Sequence, residues 1–178
     1  MPAIDKHQAP MSEFLRLVPV DELQDGAATT VSLSATGEER AALARRFGLM
    51  VLTRFDVEAV LRKVGETVRA EIALSADVVQ ACVVTLEPVS ATIEDNLIAT
   101  FDPRVAEAER EVEVSIAAED PPEPMRDGAI ELGEVASEAL GLALDPYPRK
   151  PDANFEGWSD RDETVAGGPF ATLARFRE

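Results

Sequence analysis

The run VLTRFDVEAVLRKVGETVRAEIALS, residues 51–75, decides the fold. In it Val51, Thr53, Phe55 and Val57 share one side of an extended chain, with Arg54, Asp56 and Glu58 on the other. Beyond a turn near Gly65-Glu66, Val68, Ala70, Ile72 and Leu74 alternate with Arg69, Glu71, Ala73 and Ser75. A period of two marks strands with one face to a core and one to water. Downstream, Cys82, Val84 and Leu86 prolong the pattern to Pro88. Val89, Ala91, Ile93, Leu97, Ala99 and Phe101 then alternate with Ser90, Thr92, Glu94, Asn96, Ile98 and Thr100. Such alternation predicts an antiparallel sheet, and no strand-helix-strand rhythm suggests a parallel one.

Upstream, Phe14 to Val18 is a strand candidate stopped by Pro19, and Val31 to Ala35 alternates as a half-buried strand. Thr36-Gly37-Glu38-Glu39 is a helix start, because Thr36 can cap a free N–H while Glu39 closes the capping box. Leu43 and Phe47 lie one turn apart on that helix, and Gly48 ends it. Further on, Val112, Val114 and Ile116 suggest one more strand, and Pro121-Pro122-Glu123-Pro124 a loop. Leu132, Val135, Ala136, Ala139, Leu140 and Ala143 have helical spacing, and the prolines of Asp145-Pro146-Tyr147-Pro148 stop that helix. The expected class is α+β: an antiparallel, strongly curved sheet or partly closed barrel, with helices at 37–47 and 131–144 packed on it. Residues 1–12 are expected to form a flexible arm, 13–150 a single domain, and 151–178 a mostly flexible tail with a short amphipathic end at Phe170 to Arg177.

The chain has 34 acidic and 17 basic residues, a net charge of −17 and a pI near 4.4. That balance opposes binding to bare nucleic acid or an anionic membrane and favours a basic partner, unless it serves solubility alone. The charge is uneven: residues 102–145 hold 13 acidic and 3 basic side chains, residues 38–69 hold 5 acidic and 7 basic. Arg40, Arg45, Arg46, Arg54, Arg62 and Lys63 would collect on a basic flank, or simply line a solvated face. No segment reaches the roughly 18 apolar residues needed to span a bilayer, and Met1 to Pro10 has no signal-peptide character, so a cytoplasmic location is expected.

Chemistry is thinly provided. His7, the single histidine, lies in the loose arm, so a catalytic triad lacks a well-placed base, and with Cys82 the single cysteine neither a disulfide nor a tetrahedral His/Cys metal site can form. Cys82 reads as a buried, inert strand residue, and a redox thiol is the lesser reading. There is no Gly-rich phosphate loop, and adjacent pairs such as Glu94-Asp95 point to opposite faces of a strand. The expectation is a binding protein with no catalytic, metal or cofactor site. Trp158, between Gly157 and Ser159, is either a packing residue or a partner anchor.

Two stretches carry a family likeness: Ala81-Cys82-Val83-Val84-Thr85-Leu86-Glu87-Pro88-Val89, and residues 130–149 from Ile130-Glu131-Leu132-Gly133-Glu134 to Pro146-Tyr147-Pro148-Arg149. Together they resemble the YceD family, bacterial large ribosomal RNA subunit accumulation proteins. The ending Pro169-Phe170-Ala171-Thr172-Leu173 is similar to that of the family's alphaproteobacterial branch. Many members carry Cys-x-x-Cys where this chain has Cys82-Val83-Val84-Thr85, a departure that argues against a metal or redox role here. The resemblance implies support of 23S ribosomal RNA levels without a known reaction. The expected partner is a basic ribosomal protein or assembly factor, with rRNA contacted indirectly. The surface expected to bind it comprises Glu134, Glu138, Asp145, Pro146, Tyr147, Pro148, Arg149 and Lys150, since a rigid exposed turn binds with little ordering cost. Direct RNA binding by the six cations of residues 38–69 is the alternative.

Overall fold

The computed structural model describes residues 12–105 and 121–154. The expected strand at Val112 to Ile116, His7, Trp158 and the terminal segments lie outside the described residues. The elements are β1 (Leu17–Pro19), β2 (Ala28–Ser34), α1 (Gly37–Phe47), β3 (Val51–Val64), β4 (Thr67–Ala81), β5 (Pro88–Asp102), β6 (Glu123–Pro124), β7 (Ala129–Glu131) and α2 (Leu132–Ala143). Five strands form one sheet in the order β2-β3-β4-β5-β6, antiparallel except for the short parallel β5–β6 pairing. β1 and β7 form a separate antiparallel ribbon. The fold is therefore α+β with an open sheet. Its outer strands β2 and β6 do not pair, which sets aside closure into a barrel.

Alternation does what the sequence predicts over most of this sheet. Val57, Ala59 and Leu61 of β3, and Val68, Ala70, Ile72, Leu74, Ala76 and Val78 of β4, are buried, while their neighbours face out. The start of β3 differs. There Leu52 is buried beside Val78, and Val51 and Thr53 are exposed, the reverse of the expected faces. A register shift between Leu52 and Arg54 leaves Thr53 as an extra residue, and one extra residue inverts the parity before it. Cys82 to Leu86 likewise do not prolong β4, which ends at Ala81; they form a tight loop into β5.

Helix α1 has the expected boundaries. The Glu39 amide donates to Thr36 Oγ1 (3.3 Å), the Thr36 amide donates to Glu39 Oε2 (2.7 Å), and Gly48 closes the helix at φ 65° in the left-handed region. Helix α2 grows directly out of β7 without a side-chain cap, its first amide, on Leu132, donating to the Arg16 carbonyl (3.0 Å). Both helices close the buried side of the sheet. Leu43 and Ala44 of α1, and Leu132, Ala136, Ala139 and Leu140 of α2, join the same core as Phe14, Phe55 and Phe101. The Phe14 and Phe55 rings meet at 5.3 Å.

Candidate interaction surface

The loop after β4 and the exit of α2, far apart in the chain, are joined in space. The Val83 amide donates to the Pro148 carbonyl (2.9 Å), and Gln80 Nε2 donates to the Asp145 carbonyl (2.9 Å). Lys150 Nζ sits 3.0 Å from Glu87 Oε2. Each side is also braced internally: the Cys82 amide donates to the Glu87 carbonyl (2.8 Å), the Leu86 amide to the Cys82 carbonyl (2.9 Å), and the Tyr147 amide to Asp145 Oδ1 (2.9 Å). The two prolines of the exit hold φ fixed, so the joined loops present a pre-shaped end of the molecule.

That end shows apolar side chains to water. Leu86 is 75% exposed, Tyr147 72% and Val83 44%. Leu86 also carries a second cost, a φ of 61°, which a side chain with a Cβ adopts only at about 1–2 kcal/mol. Of the residues expected to bind a partner, Asp145, Pro146, Tyr147, Arg149 and Glu138 are exposed. Pro148 is buried, so it packs and accepts a hydrogen bond but offers no surface. Glu134 is turned toward α1, where Arg46 Nη2 binds it at 2.6 Å. Residues 82–86 carry the family likeness, but their periodicity reads as strand, so the loop side of this surface was not legible as a loop.

Cys82 lies at the centre of the joint and is wholly buried. The Thr85 hydroxyl, with amides of Lys150, Thr85 and Val84, holds its thiol down at about 6, well below the usual 9. Burial agrees with the sequence reading; its place in a hydrogen-bonded loop, and its lowered pKa, do not. Among the described residues no group of three or more His, Cys, Asp and Glu side chains is placed to hold a metal ion.

Of the six cations expected on one flank, Arg40 and Arg45 line one shallow groove and the other four are dispersed. Arg40 donates to the Ala35 carbonyl, and Arg46 is neutralised by Glu134 and by Glu13 at 3.1 Å. Arg45 is exposed on α1, beside a shallow groove with Met50 and Val51. Arg54 lies on the solvent face of the sheet against Asp77 (2.8 Å) and Asp56 (3.4 Å). Arg62 is eight residues along β3, about 26 Å away, while Lys63 points to the other face and donates to the Val20 carbonyl (3.0 Å).

These features define a class: a small α+β protein with one open sheet face and a braced, partly apolar end built from two loops. The family model for the large ribosomal RNA subunit accumulation protein YceD matches residues 70–176. The chain belongs to the YceD family. Both loops of the braced end fall inside the matched region. No curated protein and no solved structure gives a significant match. The family ties this chain to accumulation of the large ribosomal subunit's RNA, and no helix of the described residues is long and apolar enough to cross a membrane.

Proposed function

We propose that this protein is a non-catalytic cytoplasmic factor that supports 23S rRNA accumulation by binding a basic ribosomal protein or assembly factor through the joined loops 82–87 and 145–150. Residues 13–150 act as one domain in this reading, with the terminal segments as appendages. The observation that carries it is Leu86: a large apolar side chain held both in a strained backbone conformation and in water. A leucine there costs stability on two counts, which favours a role in contact with another molecule. Tyr147 on the other loop is a suitable anchor, large and rigid with a polar tip. The rim is charged, with Asp145 and Arg149 exposed to orient a partner and Glu87 and Lys150 paired across the joint. Direct RNA binding through residues 38–69 is not favoured, because most of those cations are dispersed and two of the six are held in ion pairs.

The test is affinity capture with the intact chain, with and without nuclease, followed by mass spectrometry. Recovery of a basic large-subunit protein or assembly factor that resists nuclease, and is lost in Leu86→Gly and Tyr147→Ala, supports the reading. Recovery that vanishes with nuclease contradicts it.

A further inference from the structure

The solvent face of the sheet has a charge pattern that no single segment of sequence contains. Strand register stacks three rows across β2 to β5: Thr30-Val60-Glu71-Ile98, Ser32-Glu58-Ala73-Asn96 and Ser34-Asp56-Ser75-Glu94. The rows hold four carboxylates and no cation. Glu58 and Glu94 have no ion pair among the described residues, Asp56 pairs with Arg54 at 3.4 Å, and Arg69 approaches Glu71 only to 3.8 Å. None of these twelve side chains is buried, and Ile98 is 54% exposed. Two shallow concavities of about 420 Å³ each share Glu58, Ala73 and Asn96, one floored by Val60 and Ile98 and the other by Ser32 and Ser75.

We propose that this open face docks a cationic, partly aliphatic polypeptide segment of another protein. Its Lys or Arg groups would meet Asp56, Glu58, Glu71 and Glu94, and its aliphatic side chains would cover Val60, Ala73 and Ile98. Charge disfavours a phosphate backbone in the same place, since Glu58 and Glu94 stand without a paired cation and repel it. Size favours a segment over a globular partner. Five residues of strand by three strand spacings give roughly 16 by 14 Å, well under half the ~800 Å² per side of a standard interface. The face is also well separated from the joined loops: Ser75 is six residues along β4 from Ala81, about 20 Å. The proposal goes beyond the ribosomal reading and stands whether or not the loops bind a ribosomal partner.

The experiment measures binding of a synthetic amphipathic Lys/Leu peptide to the intact chain by fluorescence anisotropy, at about 0.15 M salt so that distant charges are screened. A Glu/Leu peptide and a single-stranded RNA serve as competitors of other chemistry. Glu58→Lys/Glu94→Lys is expected to weaken the Lys/Leu peptide about tenfold or more, and Ile98→Ser about threefold. Asp21→Lys/Glu22→Lys, the same charge change at exposed positions off this face, is expected to change it less than about twofold. Equal losses in the two charge variants would overturn the proposal by showing a net-charge effect. So would RNA binding to the face, or self-association abolished by Glu58→Lys/Glu94→Lys.

Discussion

At the scale of single residues, Glu39 shows how one side chain fastens two levels of structure. Its carboxylate closes the cap of α1 and also receives both Arg16 Nη1 (2.7 Å) and Nη2 (2.9 Å), tying the helix start to the segment that carries Phe14. The Arg16 guanidinium in turn lies 4.5 Å over the Phe14 ring. These bonds, Arg16 first, hold the Glu39 carboxyl at about 2, below its ordinary 4.5. A depressed acid stabilises the fold fully above its unfolded value, and that stabilisation is lost as pH falls through the folded one. Glu39→Gln should therefore lower stability by about 1–2 kcal/mol at neutral pH in urea unfolding. Its deficit should close between pH 4.5 and about 2. A deficit independent of pH would mean that the ion pair contributes nothing. Cys82 gives a second residue-scale expectation: thiolate absorbance in the ultraviolet should rise around pH 6, and Thr85→Val should move the midpoint up. A wild-type midpoint near 9 would show that the loop does not hold the sulfur in this way. The Thr36–Glu39 box was legible because a cap is a local pattern. Arg16 was not, because its partner is brought to it by the fold.

At the scale of elements, two glycines set how closely α2 approaches its neighbours. A Cβ on Gly133 would lie 1.8 Å from the Phe14 carbonyl oxygen, a backbone atom that cannot step aside. A Cβ on Gly141 would meet the Phe47 ring at 2.8 Å, and a ring can turn. Thermal or urea unfolding should show Gly133→Ala costing about 2–4 kcal/mol and Gly141→Ala about 1 kcal/mol or less. Similar costs would refute the close backbone packing of α2. Leu86→Gly tests the loop as an element. It relieves the left-handed strain, so stability should stay level or rise by up to about 1 kcal/mol while partner capture falls. Elements were legible in sequence wherever periodicity was unbroken: α1, the β3–β4 hairpin, β5 and the body of α2. They were not where one residue breaks the period. The extra Thr53 reversed Val51 and Leu52, and the turn at 82–87 imitates a strand because Cys82, Val84 and Leu86 happen to be apolar at alternate positions.

At the scale of the whole molecule, acidity is organised by register more than by segment. Sequence counting assigns the negative charge to residues 102–145 and a slight positive balance to 38–69. Yet Asp56 and Glu58, from the nominally basic stretch, combine with Glu71 and Glu94 on the open face, while Arg46 is used to clamp α1 onto α2. Charge pattern across strands follows register, which one sequence does not fix, so this face was invisible until the strands were paired. The joined loops were half legible: both stretches carry the family likeness, but nothing in the chain says that Pro148 and Val83 touch. In the proposed reading, this joined end recruits a protein of the assembling large subunit. The most direct test replaces the cell's own gene with the Leu86→Gly/Tyr147→Ala form and compares large-subunit particles and 23S rRNA on sucrose gradients. The expected result is normal levels of the variant protein with a clear loss of large subunits and their RNA; undiminished 23S rRNA with the variant as the sole copy would contradict the proposed role.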